Sequence, residues 1–228
     1  MNILTKIYRG DSNRKTRIHN EKNVRMPLKR LLLNGPRAFA TAALRKAFRY
    51  RQAVPWISYS AISYIRLHLI KSKSEVLEFG SGMSTIWYSC RVKSVVSIED
   101  SQEWLQVIKS ELQKRGITNV ALYERHKEDY YRPIDTKDMF DLIMIDGSYR
   151  SDCIEANFPR LKSDGVMYLD NSDKDAAGGD TRRAEELFRE YASKSNRQVI
   201  EFTDFAPGQL TANEGLLMTP VGRSEHKR

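Results

Sequence analysis

The feature that most constrains this chain is an alternation running through it from residue 56 onward. Short apolar runs close on small or acidic residues, and a stretch with helical spacing follows. Glu75-Val76-Leu77-Glu78-Phe79 closes on Gly80-Ser81-Gly82, and Ser94-Val95-Val96-Ser97-Ile98 on Glu99-Asp100. Residues 119–123 form a third run. Asp141-Leu142-Ile143-Met144-Ile145 is nearly all apolar, as suits a strand buried on both faces, and it closes on Asp146-Gly147. Val166-Met167-Tyr168-Leu169 closes on Asp170-Asn171.

The intervening spacing predicts helices. One covers 56–70. One is capped by Ser84 or Thr85, and one by Ser101, closing near Gly116. One runs through Ile154 to Leu161, and one is capped by Asp180 or Thr181 and reaches about Ala192. Two last strands, 198–205 and 215–221, flank Pro207-Gly208, a link short enough to imply an antiparallel pair. The predicted fold is α/β: a Rossmann-like, mostly parallel seven-stranded sheet with helices on both faces and an antiparallel last strand pair. Such sheets bind ligands outside the carboxyl ends of their strands, where the small and acidic residues gather here.

Charge divides the chain in two. Residues 1–55 carry 14 Lys/Arg against Asp11 and Glu21, a net +12. Residues 56–228 carry 24 Lys/Arg against 27 Asp/Glu, a net −3. The expected division is a basic N-terminal arm, 1–55, and a main domain, 56–228. Within the arm, residues 10–25 are too poor in large apolar side chains to pack and read as flexible. Asn34-Gly35-Pro36 reads as a break, and 37–50 as an amphipathic helix with Phe39, Ala43, Ala47 and Tyr50 on one face. Its candidate partners are the main domain itself, an anionic membrane surface and, less favoured, nucleic acid. No apolar run approaches the ~20 residues of a membrane span. No signal peptide is read at the N-terminus, and only Cys90 and Cys153 are present. The expected location is therefore cytoplasmic, or peripheral at the inner membrane surface.

The loops after the strands narrow the chemistry. Gly80 and Gly82 allow a tight turn and close approach of a ligand. Thr85 stands where a dinucleotide fingerprint wants a third glycine, and no phosphate-loop lysine follows. Glu78 sets a carboxylate where a pyrophosphate would lie, which suits a cationic ligand. Glu99 ends the next strand, 19 residues past Gly80, where an acid can accept from both ribose hydroxyls. The ligand implied is a nucleoside without phosphates.

Val76-Leu77-Glu78-Phe79-Gly80-Ser81-Gly82, Ile98-Glu99, Phe140-Asp141-Leu142-Ile143-Met144-Ile145-Asp146 and Leu161-Lys162-Ser163-Asp164-Gly165-Val166 resemble, in order, the motifs of class I S-adenosylmethionine-dependent methyltransferases. The resemblance spans about 56–221 and implies that Gly80, Ser81 and Gly82 line the methionine moiety with Glu78 near its amino group. It further implies that Glu99 holds the ribose and that Asp100 or Ser101 flanks the adenine. His126, Glu128 and Asp129 are candidates for a further polar contact. Asp146 with Asp170-Asn171 resembles the small O-methyltransferases related to catechol O-methyltransferase. That likeness implies Mg²⁺ at Asp146, Asp170 and Asn171, and a catalytic role for Asp146. The open alternative is that Asp170-Asn171 only starts a turn while Asp146 touches cofactor or substrate. One departure is plain: those enzymes commonly carry Lys three residues after the first Asp, where this chain has Tyr149 and then Arg150. Arg is a poor base.

The Leu-Glu-Phe-Gly-Ser-Gly-x-Ser-Thr loop and Leu-Asp-Asn-Ser-Asp also resemble an uncharacterised bacterial branch of that class. The function implied is O-methylation of a small hydroxylated acceptor, with a sugar or lipid-linked glycan as first guess. The rivals are an RNA methyltransferase using the basic arm and a non-catalytic nucleoside-binding module.

Overall fold

The structure is a computed structural model, and it describes residues 10–48, 52–134, 139–175 and 178–222. Seven strands form one sheet: β1 (Glu75–Phe79), β2 (Ser94–Glu99), β3 (Val120–Glu124), β4 (Phe140–Ile145), β5 (Leu161–Leu169), β6 (Arg197–Phe205) and β7 (Ala212–Pro220). Their order across the sheet is β3-β2-β1-β4-β5-β7-β6. The β1, β2, β3, β4 and β5 ladders are parallel, and β7 runs antiparallel to both β5 and β6. This is the architecture the alternation predicts.

Period-two alternation assigns the faces. Leu77, Phe79, Ile143, Ile145, Met167 and Leu169 bury one face against Cys153, Ile154, Ala184 and Phe188. Those last four lie on α6 (Arg150–Asn157) and α7 (Asp180–Lys194). Val76, Leu142, Met144, Val166 and Tyr168 bury the other face against Ile57, Ala61, Ile65, Trp87 and Tyr88. Those belong to the stretch from Ile57 through α2 (Tyr59–Tyr64) and its π-helical continuation Ile65–Leu69, and to α3 (Met83–Ser89). Helix α4 (Gln102–Lys114) covers the β2–β3 side with Ile108 and Leu112. A one-turn helix α5 (Glu128–Tyr131) follows β3.

Several local expectations are corrected. The helix before β1 starts at Tyr59, where Ser58 Oγ accepts from the Ala61 amide. The cap of α3 is Gly82, not Ser84 or Thr85, and Thr85 Oγ1 instead accepts from the Gly82 amide at 2.9 Å. Gly179, not Asp180 or Thr181, caps α7. Strand β5 begins at Leu161, five residues early, because an irregularity between Phe140 and Leu142 lets Leu161 pair with Phe140.

The N-terminal segment departs most. Helix α1 runs Leu28–Phe48 through Asn34-Gly35-Pro36. Asn34 Nδ2 donates to the fully buried Asp204 at 2.7 Å, which ties the expected break to β6. Arg49 and Tyr50, the end of the expected helix, lie outside the described residues. Residues 10–25, expected to be flexible, are packed. Ile18 and Met26 join Ala38, Tyr59, Phe205 and Ala212 in an apolar cluster. Lys22 Nζ pairs with Glu185 at 2.6 Å and Glu214 at 2.7 Å, both nearly buried. Poor in large apolar residues, the segment docks through charge pairs and the two apolar anchors Ile18 and Met26.

Candidate functional site

A cleft of about 360 Å³ opens at the carboxyl ends of β1, β2, β4 and β5, within the ordinary size of small-molecule sites. Its walls include Gly80, Ser81, Gly82, Glu99, Asp100, Asp146, Asp170 and Asn171. Eight of the nine expected cofactor or metal residues, all but Glu78, thus meet in one place, though their spacing in sequence covers 92 positions.

The loop after β1 is held tightly. Gly80 has φ +93° and its N–H donates to Ile98 O at 2.9 Å. A Cβ there would lie 2.8 Å from the Asp146 backbone, so only glycine lets the β1 and β4 loops approach. Gly82 differs: its φ of −169° is extended backbone open to any residue, and a Cβ would meet nothing closer than Ser84 Oγ at 3.3 Å. The Trp104 indole N–H donates to Ser81 O at 2.6 Å and pins the loop from α4.

Glu78 is not on the cleft wall. It shares a sheet face with Val76, and its β2 neighbour in register is Ser97. Its carboxylate accepts from Thr85 Oγ1 at 2.5 Å and Ser97 Oγ at 2.7 Å, one layer below the loop. Glu78, expected near a ligand amino group, supports the loop through Thr85 and Gly82. Burial pushes this carboxyl up to about 7, against the pull of its hydroxyl donors. In the free protein a carboxyl raised from an unfolded value near 4.5 stabilises fully below that value and loses its contribution as pH rises through about 7. The expected loss is about 3 kcal/mol. The unfolding free energy of the wild type from urea titrations should fall between about pH 5 and 8 by that amount more than that of Glu78→Gln; parallel profiles would show no such burial cost.

Glu99 is almost buried at the end of β2 and accepts from the Ser101 amide at 2.9 Å. Burial raises its pKa. Asp100 accepts from Ser148 Oγ at 2.7 Å, which joins the β2 and β4 loops. Asp146 and Asp170 stand side by side, and both carboxyls are raised, chiefly by burial; for Asp170 the Asp146 charge adds to it. Asn171 Nδ2 touches Asp170 Oδ2. The Arg150 guanidinium reaches Asp146 at 3.8 Å but donates mainly to backbone: Nε to Gly147 O and Nη1 to Asp170 O. It clamps the loops and has no free base to offer.

His126 and Asp129 line a different, exposed groove with Glu124, Arg125, Arg132 and Pro133, and His126 faces Glu124. They are not brought to the cleft, nor is Glu128 among its lining residues. Four lining residues escaped the sequence reading: Trp56, Trp104, Lys174 and Gln209. Trp104 sits on the helix face that reads as core, and Lys174 follows a turn with no periodic signal.

The sheet order, the antiparallel last pair and the cleft position define the class I S-adenosylmethionine-dependent methyltransferase fold. No protein-family model matches the chain, and no curated protein matches it. Solved structures do. An O-methyltransferase from Bacillus cereus in complex with S-adenosylhomocysteine superposes with TM-score 0.62 at 14% identity, covering 84% of this chain and 96% of that one. The O-methyltransferase TomG from Streptomyces achromogenes, involved in tomaymycin synthesis and in complex with S-adenosylmethionine, gives TM-score 0.59 at 15% identity over 85% and 96%. An rRNA methylase from Streptococcus thermophilus gives 0.52 at 15% over 70% and 94%.

Proposed function

We propose that this protein is an S-adenosylmethionine-dependent O-methyltransferase acting on a small hydroxylated acceptor, with a sugar or lipid-linked glycan as the acceptor class. The observation that carries the reading is the convergence of the Gly80–Gly82 wall, the Glu99 carboxylate and Asp146 on one cleft. The site residues fit the cofactor. Backbone lies bare at Gly80 and Gly82, Glu99 offers a carboxylate to ribose hydroxyls, and Trp104 and Asp100 stand on the adjoining wall. When bound, the cofactor supplies an electrophilic methyl group.

Methyl transfer is an in-line displacement, so the protein's main task is to align acceptor oxygen and methyl carbon. The Gly80–Gly82 backbone and Glu99 fix one partner. Asp146, packed directly against Gly80 at the end of β4, offers a carboxylate to an acceptor hydroxyl proton, and Lys174 in the cleft lining favours a polar or anionic acceptor. Asp146, Asp170 and Asn171 carry hard oxygen donors of the kind that suits Mg²⁺, with the Arg150 guanidinium and the Lys174 ammonium as near counter-charges. The ion would lower the pKa of an acceptor hydroxyl.

Calorimetric titration with S-adenosylmethionine and S-adenosylhomocysteine tests the reading. Both should bind, and saturation should raise the melting temperature. Glu99→Ala should weaken binding roughly 10- to 150-fold, the loss of charged hydrogen bonds worth roughly 1.5–3 kcal/mol. Absence of any heat with either compound would refute the assignment, and unchanged affinity in Glu99→Ala would remove that residue from the site.

A further inference from the structure

Helix α1 has two unlike faces. The inner one carries Leu31, Asn34 and Ala38 against β6, α2 and the β6–β7 loop. The outer one is apolar yet open: Leu28 is 60% exposed, Leu32 68%, Leu33 62%, Phe39 67% and Phe48 75%. At 100° per residue, Leu28, Phe39, Leu32, Ala43, Pro36, Ala47, Ala40, Leu33 and Leu44 fall on one continuous arc. Five large side chains left in water along one helix mark an interaction surface, not scattered exposure.

Charge names the partner. Between Glu21 and Glu75 the chain has no Asp or Glu, while residues 22–74 hold 12 Lys/Arg. Lys29, Arg37 and Lys46 border or interrupt the apolar arc. A second copy of the chain would bring these cations face to face in a two-fold interface, with no acid in the segment to offset them. Nucleic acid would use the cations and leave the leucines and phenylalanines idle. No described helix is long and apolar enough to cross a membrane. A helix with this wide apolar arc and basic flanks lies in the plane of an anionic lipid surface.

We propose that α1 docks the protein on an anionic membrane surface. The placement also orients the cleft. The Arg45 guanidinium stacks 4.7 Å above the Trp56 ring, and Gly208 N–H donates to Thr41 Oγ1 at 3.0 Å. Trp56 and Gln209, next to Gly208, line the cleft. The second half of α1 is thus the shoulder of the cleft mouth, and docking holds that mouth at the lipid surface, where a lipid-anchored acceptor would arrive. The docking itself rests on the helix surface and does not depend on the methyl-transfer reading.

Flotation of the full chain with vesicles tests it. Vesicles of phosphatidylcholine with about one-third phosphatidylglycerol should carry the protein, pure phosphatidylcholine far less, and binding should weaken as salt rises. Leu32→Gln with Phe39→Gln, both on the water-facing side, should lower partitioning about 100-fold while melting temperature and S-adenosylhomocysteine affinity stay unchanged. Lys29→Glu with Lys46→Glu should abolish the preference for anionic lipid. A wild-type chain that floats with neither vesicle, or a Leu32/Phe39 variant that floats as well as wild type, overturns the proposal. A lipid-free dimer that the same variant splits assigns the face to a second copy and overturns it too.

Discussion

Lys22→Met should destabilise the protein by about 3–5 kcal/mol, although the residue lies in a polar segment far from the sheet in sequence. Lys22 Nζ sits between Glu185 and Glu214, whose side chains are only 5% and 3% exposed. Glu185 keeps Arg182 and Arg189 when Lys22 is lost. Glu214 keeps only neutral donors, Asn20 Nδ2 and Ser172 Oγ. A buried carboxylate without counter-charge is among the costliest single defects a fold can carry. For a chain of this size the melting temperature should fall by roughly 10–15 °C. Adding Glu214→Gln removes the stranded charge and should recover about half of that loss. A Lys22→Met protein melting within about 2 °C of wild type would mean that the segment is not docked as described. By the same reasoning, a chain started at Val54 should be worse than any point variant. It loses the burial of Ile18, Met26 and Ala38 and leaves Asp204 without the Asn34 amide.

The strand alternation was legible because the runs in β1, β2, β4 and β5 must bury both faces of a covered sheet, which forces mostly apolar residues. The cleft was legible for the same reason: residues at strand ends are released from that demand, so Glu99, Asp146 and Asp170 stand out against Ile98, Ile145 and Leu169. Three things were hidden. The docked N-terminal segment signals through Lys22 and Asn20, whose partners lie 163 to 194 residues away. Local composition carries no trace of such pairing. Pro36 inside α1 reads as a breaker, yet Asn34 and its bond to Asp204 hold the turn across it. Glu78 reads as a ligand contact from its place beside the glycines. Strand pleat turns its side chain to the Val76 face, where it meets Ser97 and Thr85 below the loop. That pleat was present in the sequence, and counting by two from Val76 would have found it.

Gly80→Val should abolish cofactor binding and cost the fold roughly 3–5 kcal/mol, whereas Gly82→Ala should leave the fold intact. The two glycines flank one serine but do different work. At Gly80, φ is +93°, a region closed to β-branched residues. A Cβ there would also lie 2.8 Å from the Asp146 carbonyl carbon and oxygen and 2.9 Å from Gly147 Cα. These are backbone atoms of a tightly bonded loop and cannot swing aside. The Asp146 amide donates to Phe79 O at 3.0 Å, and Arg150 holds Gly147 O. Valine must therefore push the β1 and β4 loops apart, separating the Gly80–Gly82 backbone from Asp146, against which it packs. At Gly82 the backbone is extended, so strain is not the cost of substitution; the added methyl instead enters cleft space beside Ser84. Affinity for S-adenosylhomocysteine should fall more than about 100-fold in Gly80→Val and distinctly less in Gly82→Ala, with the melting temperature lowered only in the first. Both quantities come from one thermal-shift series with and without the compound. If Gly80→Val melts like wild type and still binds, then the close approach of the two loops does not hold the site together. A Gly82→Ala protein that melts low would move the strained turn from Gly80 to Gly82.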